Sequence, residues 1–179
     1  MGKWTIDPDH SVAAFAVRHM TIAMVRGQFN KLSGSIYFDP AAVGQSSVEV
    51  EIEAASITTG IPKRDDHLRS PDFFDAGRYP VILFRSTAVA AAGGNRARVT
   101  GDLTLHGTTR TVTFDAEYFG PVKAPYGGET SMGFSASARL NREDFGILWN
   151  ETLEAGGVMV GNEVQIFLDV EADLAGEQP

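Results

Sequence analysis

The chain has no cysteine. That excludes a thiol nucleophile, a thiolate-held metal and any disulfide, so an apolar core and hydrogen bonds must hold the fold together. Long apolar runs are also missing. The longest early uncharged stretches, residues 11–17 and 20–25, fall far short of the ~20 residues a membrane-crossing helix needs, and no membrane insertion is expected. Residues 1–7 contain no apolar leader core, which makes the cytoplasm the expected compartment, or the periplasm or exterior if a leader has been cleaved. Positive charge is in deficit, with 15 Lys and Arg against 23 Asp and Glu and a net charge of −8. Nucleic acid and anionic membrane surfaces, which need clustered Lys and Arg, are therefore not expected partners. The only basic cluster, Lys63, Arg64 and Arg69, is interleaved with Asp65 and Asp66 and reads as a solvated helix face.

What the chain does have is alternation. In residues 47–54, Val48, Val50, Ile52 and Ala54 alternate with Ser47, Glu49, Glu51 and Glu53, the pattern of a strand with one buried and one wet face. The same period places Ala97, Val99, Gly101, Leu103 and Leu105 on one face of residues 96–106. It does so again for Val112, Phe114, Ala116 and Tyr118 in 110–118, for Met132, Phe134, Ala136, Ala138 and Leu140 in 132–141, and for Val164, Ile166, Leu168 and Val170 in 162–172. Residues 11–19, 29–39 and 81–92 read as strands with apolar residues on both faces, which calls for a covering helix or a second copy of the chain. Residues 92–95 (Ala-Gly-Gly-Asn) and 106–109 (His-Gly-Thr-Thr) are hairpin turns, and a Pro and Gly rich loop runs from Gly120 to Gly128.

One stretch reads as helical, around residues 62–75, with Ser70 as N-cap, Pro71 at the first helical position, and Phe73 and Phe74 carried on a short helical turn. A second short turn is expected at 141–145. No linker, repeat or composition shift divides residues 1–179, so one domain is expected. The fold class is all-β: an eight-stranded antiparallel barrel with a short helical insertion. Such a barrel is just wide enough for side chains to fill it or for one small or slender ligand. Ala54, Ala97, Gly101, Ala116, Ala136 and Ala138 supply little bulk to its inner face, which leaves either an apolar void or a space plugged by the helix through Leu68, Phe73 and Phe74.

Catalytic signatures are weak. His10, His19, His67 and His106 show no spacing that sets two imidazoles on one metal, so no metal site is expected. Ser11 beside His10 points to the opposite face of a strand, and there is no G-x-S-x-G elbow. Asp65 and Asp66 sit beside Lys63 and Arg64 as exposed ion-pair partners. No catalytic residue and no cofactor is assigned, and the chain is not expected to be an enzyme.

The order Asp7-Pro8-Asp9-His10-Ser11, Phe15-Ala16-Val17-Arg18-His19 and Gly27-Gln28-Phe29 resembles the start of the YceI-like family of lipocalin-like, polyisoprenoid-binding proteins. The resemblance continues through Ser70 to Asp75, Tyr79-Pro80, Phe84-Arg85-Ser86, Gly101 to Gly107, Asn141 to Gly146 and Val164-Gln165-Ile166. It implies an extended eight-stranded barrel with an elongated tunnel for a long isoprenoid or other lipid, often a homodimer, and it brings no established catalytic residue. On this reading Phe15, Val17, Met20, Ile22, Met24 and Phe29 lie near one end. Phe73, Phe74, Phe84, Leu103, Phe114, Phe134 and Phe145 run along the tunnel, and Gly101, Ala116, Ala136 and Ala138 leave the space. A polar head would meet His19, Arg18 or His10 at the opening. The expected function is binding, transport or storage of a polyisoprenoid, isoprenoid quinone or precursor. Two alternatives stand beside it: an enzyme acting on such a lipid through His10, His19 or Arg142, and a dimeric scaffold with a filled interior.

Overall fold

Two-residue turns with left-handed backbone match the twist of the strands they join. His106 (φ 51°) with Gly107 (φ 71°) forms such a turn, and Gly93 (φ 91°) and Gly94 (φ 59°) take the same conformation in a three-residue loop closed by Ala92 and Arg96. The structure, a computed structural model, describes residues 1–125, 128–154 and 156–176. Its elements are β1 (Gly2–His19), β2 (Ala23–Phe29), β3 (Leu32–Phe38), β4 (Ser47–Glu53), β5 (Ile57–Thr58), α1 (Pro62–Arg69), β6 (Val81–Ala91), β7 (Arg96–Leu105), β8 (Thr108–Lys123), β9 (Thr130–Asn141) and β10 (Val160–Leu174). Of the expected loop after Gly120, Tyr126 and Gly127 lie outside the described residues.

The antiparallel order β10-β9-β8-β7-β6-β4-β3-β1, closed by β1 on β10, makes an eight-stranded barrel. β2 and β3 lie end to end on one edge of β1: Ala23–Phe29 pair with His19 to Ala13, and Ser35 to Phe38 pair with Thr5 to Gly2. β4 continues the ring only beside β3, whereas the outer edge of β2 meets β5 at Gln28 and Phe29 alone. The chain from β5 through α1 to β6 covers that side.

The alternation becomes the wall. Ala97, Leu103 and Leu105 of β7 are buried while Arg98 and Asp102 are exposed, and Val112 and Phe114 of β8 are buried between exposed Thr111, Thr113 and Asp115. One end is closed by aromatics. Phe38 packs on Tyr118 and Phe134, with ring centroids 4.7 and 5.5 Å apart, and Trp4 Nε1 donates to the Phe38 carbonyl at 3.3 Å.

Four expectations about elements change. The first strand begins at Gly2, not near residue 11, because its ladder with β10 resumes on the far side of a bulge. Asp7 pairs with Glu171 and Val12 with Asp169, so residues 8–11 loop out, and Pro8, which has no N–H to give a ladder, sits there. The expected strand at 29–39 is divided, since Phe29 ends β2 and β3 starts at Leu32. Ser70 caps the C-terminus of α1 rather than an N-terminus. Pro71 disfavours the α region for the residue before it, so Ser70 is extended (φ −71°, ψ 170°), its hydroxyl donates to the His67 carbonyl at 2.7 Å, and Pro62 takes the first turn instead. Lastly, among the described residues no helix covers the outer face of β6, where Val81, Ala88 and Ala90 are exposed. The short turn at 141–145 forms as expected, with the Asn141 side chain accepting from the Glu143 N–H at 3.0 Å.

Candidate functional site

Folded interiors pack so closely that voids much larger than a water are few. This barrel encloses a cavity of about 380 Å³, lined by residues of its strands together with α1 and the turn after it. The lining is apolar along most of its length: Ile36, Val50, Leu103 and Phe114 from the strands, Leu68, Phe73 and Phe74 from the insertion, and Phe145, Ile147 and Trp149 from the segment after β9. Polar lining residues gather at the ends. Ser46, Glu117 and Tyr118 lie toward the aromatic closure. Arg18, His19, Arg64 and His67 lie at the opposite end, where Arg18 is exposed and the other three are half-buried. The Oγ of Ser46 is buried without a hydrogen-bond partner, a state costing about 1–3 kcal/mol unless a group in the lumen bonds to it.

Thirteen of the expected tunnel residues line this cavity: Phe15, Val17, His19, Phe29, Phe73, Phe74, Phe84, Leu103, Phe114, Ala116, Phe134, Ala136 and Phe145. Five do not. Met20 and Ile22 are exposed in the β1–β2 turn, and Met24 is on the face of β2 opposite the lining residues Val25 and Phe29. Gly101 is small for another reason, since a Cβ there would meet the Arg85 carbonyl oxygen at 2.3 Å and the Phe84 ring at 2.6 Å, where β6 bulges between Ser86 and Ala88. Ala138 packs on the core without lining the cavity. The expectation that Gly101, Ala116, Ala136 and Ala138 mark one channel thus holds for the cross-strand pair Ala116 and Ala136 only.

The α1 end rests on one buried carboxylate, that of Asp65, which corrects the expectation that it is an exposed ion-pair partner. Asp65 accepts from the Thr59 N–H (2.7 Å), the Thr59 hydroxyl and the Thr58 hydroxyl (3.1 Å). Burial pushes its carboxyl up, but these bonds and the Arg69 charge outweigh burial and hold it below the ordinary carboxylate value. Arg64 is fixed by the same residue, donating to the Thr59 hydroxyl (2.7 Å) and carbonyl (3.1 Å). His67 stands edge-on to Phe73 and Trp149, with centroids 5.0 and 4.8 Å apart, and bonds Asp72 at 2.8 Å.

Buried Arg142 gives Nε to the Gly161 carbonyl, Nη1 to Ile147 and Trp149, and Nη2 to Val160 and Asn162, at 2.7–3.4 Å. A guanidinium has five N–H donors, and each has an acceptor. Burial lowers its pKa from the usual guanidinium value. None of its protons is left for a substrate, which corrects the alternative that gave Arg142 anion or proton work. His10 is exposed on the β1 bulge and does not line the cavity. Its Nδ1 lies 2.6 Å from Asp7, and Glu171 completes a trio whose ligating atoms fall within 4.8 Å of one another. Ser11 pins the bulge by exchanging two hydrogen bonds with the Glu171 backbone, at 3.2 and 3.1 Å.

Sequence reasoning missed Arg64, His67, Trp149 and Met159 as lining residues, and it turned Leu68 inward only as part of a plug. The basic cluster at 63–69 carried the signal for Arg64, but it looked like a solvated face. Nothing local marked Trp149.

The barrel is closed and antiparallel, and it surrounds a largely apolar lumen. The YceI-like domain model matches residues 4–172, and the chain belongs to that family. A UPF0312 protein of Vibrio cholerae is 41% identical over 138 residues, covering 77% of this chain and 72% of its own length. The crystal structure of BcnA from Burkholderia cenocepacia superposes with a TM-score of 0.82 at 30% identity, covering 93% of this chain and 98% of BcnA. A polyisoprenoid binding domain from Saccharophagus degradans shares the fold, with a TM-score of 0.70 at 16% identity over 97% of this chain and 99% of that domain.

Proposed function

We propose that the protein binds one long apolar lipid, a polyisoprenoid or an isoprenoid quinone or precursor, in the barrel lumen, and carries or stores it without transforming it. The observation that carries this reading is the continuous apolar cavity, running from the Phe38 closure to the Arg18, His19, Arg64 and His67 end. A buried methylene contributes roughly 0.8 kcal/mol, so ten of them supply roughly 8 kcal/mol before the costs of ordering the chain, and no directional chemistry is required. The polar groups at the α1 end give a head group hydrogen-bond partners. The polyisoprenoid-binding name of the Saccharophagus degradans domain points to the same ligand class. Catalysis through His10 or Arg142 is disfavoured by the outward placement of the one and the full set of acceptors around the other, while His19 lines the lumen.

The test is native mass spectrometry of protein purified without detergent, followed by organic extraction. A bound lipid is expected in the native protein, and it should be lost from Ala116→Leu/Ala136→Leu, whose added side chains fill the lumen, with the thermal midpoint checked to confirm folding. A folded native protein that never retains or takes up a long-chain lipid would overturn the reading.

A further inference from the structure

Three segments meet at the α1 end of the barrel. The β1–β2 turn is joined to residues 157–160 by the Met20 N–H donating to the Met159 carbonyl at 2.8 Å. Residues 157–160 are joined in turn to 146–150 by the Asn150 side chain, which donates to the Val160 carbonyl (2.8 Å) and accepts its N–H (2.9 Å). Each segment points an apolar side chain outward: Ile22 is 78% exposed, Leu148 65%, Val158 40% and Met20 36%. The chain neighbours of these residues, His19, Trp149 and Met159, line the lumen. The same three segments therefore face the cavity with one side chain and the outside with the next.

Charge is sparse in these three segments, with Arg18 and Glu151 flanking them. Although 21% of the chain is Asp, Glu, Lys or Arg, none occurs in residues 19–25, 145–150 or 156–162. The turn is not chosen for its own stability either, since Met20 (φ 49°) and β-branched Thr21 (φ 64°) occupy left-handed positions that Asn-Gly would fill at less cost.

We infer that this tip docks on the surface of a phospholipid bilayer, so that the lumen loads from and releases into the membrane. The inference rests on the proposed lipid ligand, which has no aqueous route to the cavity. Four side chains fall well short of the ~1,200 Å² of a stable protein interface, but they suit shallow burial among acyl chains. With a net charge of −8, the surface expected is zwitterionic rather than anionic.

The test uses delipidated protein, phosphatidylcholine vesicles containing a long-chain polyprenol, and the variant Ile22→Asp/Leu148→Asp, whose changed residues lie outside the lumen. Native protein should float with the vesicles and extract the polyprenol. The variant should lose flotation and extract at least about tenfold more slowly, while taking up polyprenol from detergent as before. Equal flotation and extraction by both proteins would overturn the inference. So would a native dimer that the variant abolishes, which would make the tip an interface between copies. If neither protein loads from detergent, the lumen reading fails, and flotation still decides docking.

Discussion

Arg142 reaches carbonyls on both sides of the chain reversal between β9 and β10, and its removal would orphan several of them at once. Arg142→Met is expected to cost about 3 kcal/mol or more, read as a shift in the denaturant midpoint, and Arg142→Lys should recover little because an ammonium lacks the planar fork. At the β1 bulge, the Asp7 hydrogen bond chiefly, with the charges of Asp7, Glu171 and Asp9, raises the pKa of His10 above its ordinary value, and the same hydrogen bond, with the Asp9 N–H, lowers that of Asp7. A raised histidine stabilises the fold below its unfolded pKa and loses that contribution as pH rises through the folded value. An NMR titration should therefore find the His10 imidazole protonating above the usual ~6.5, and Asp7→Asn should return it to that range. The depressed carboxyl of Asp65 acts in the opposite sense. Its contribution is complete above the unfolded carboxylate value near ~3.9 and is lost as pH falls through the lower folded value, so acid should loosen the α1 end and Asp65→Asn should remove that acid dependence.

The strands with one buried and one wet face were plain in the sequence, because period-two alternation is local and hairpin turns announce themselves through Gly. β4, β7, β8 and β9 were readable for that reason. The expected strand at 11–19 missed the first half of β1, since only pairing with the distant β10 carries the strand across the bulge at residues 8–11. The helix boundary went wrong where two signals competed: Ser70-Pro71 fits a helix start, but the constraint Pro71 places on Ser70 ends the helix already running. Gly101 was misassigned for a related reason, since a small residue looks the same whether it leaves room for a ligand or for a crossing backbone. Gly101→Ala is expected to lower stability by about 1–3 kcal/mol, measured by urea unfolding, with lipid retention unchanged in the folded fraction.

Closure of the whole molecule depends on its sequence-distant pair, β1 on β10, so folding waits on the longest-range contacts in the chain. A chain ending at residue 159 should lack a cooperative unfolding transition by circular dichroism, since β1 and β9 would then both be open edges. The lumen was legible as a shortage of bulk on inner faces, but the residues at its α1 end were not, because an insertion folding across a barrel leaves no periodic trace. That insertion has a mechanical consequence. Among the described residues, the side-chain hydrogen bonds of α1 end on its own lead-in and follow-on: Arg64 on Thr59, Asp65 on Thr58 and Thr59, Arg69 on Ala55 and Ile57, and His67 on Asp72. Its seat on the rest of the barrel is aromatic, Phe74 against Phe29 and Phe73 against Trp149. The helix is thus a self-braced panel whose grip on the surrounding hoop comes from stacked rings rather than from its own side-chain hydrogen bonds.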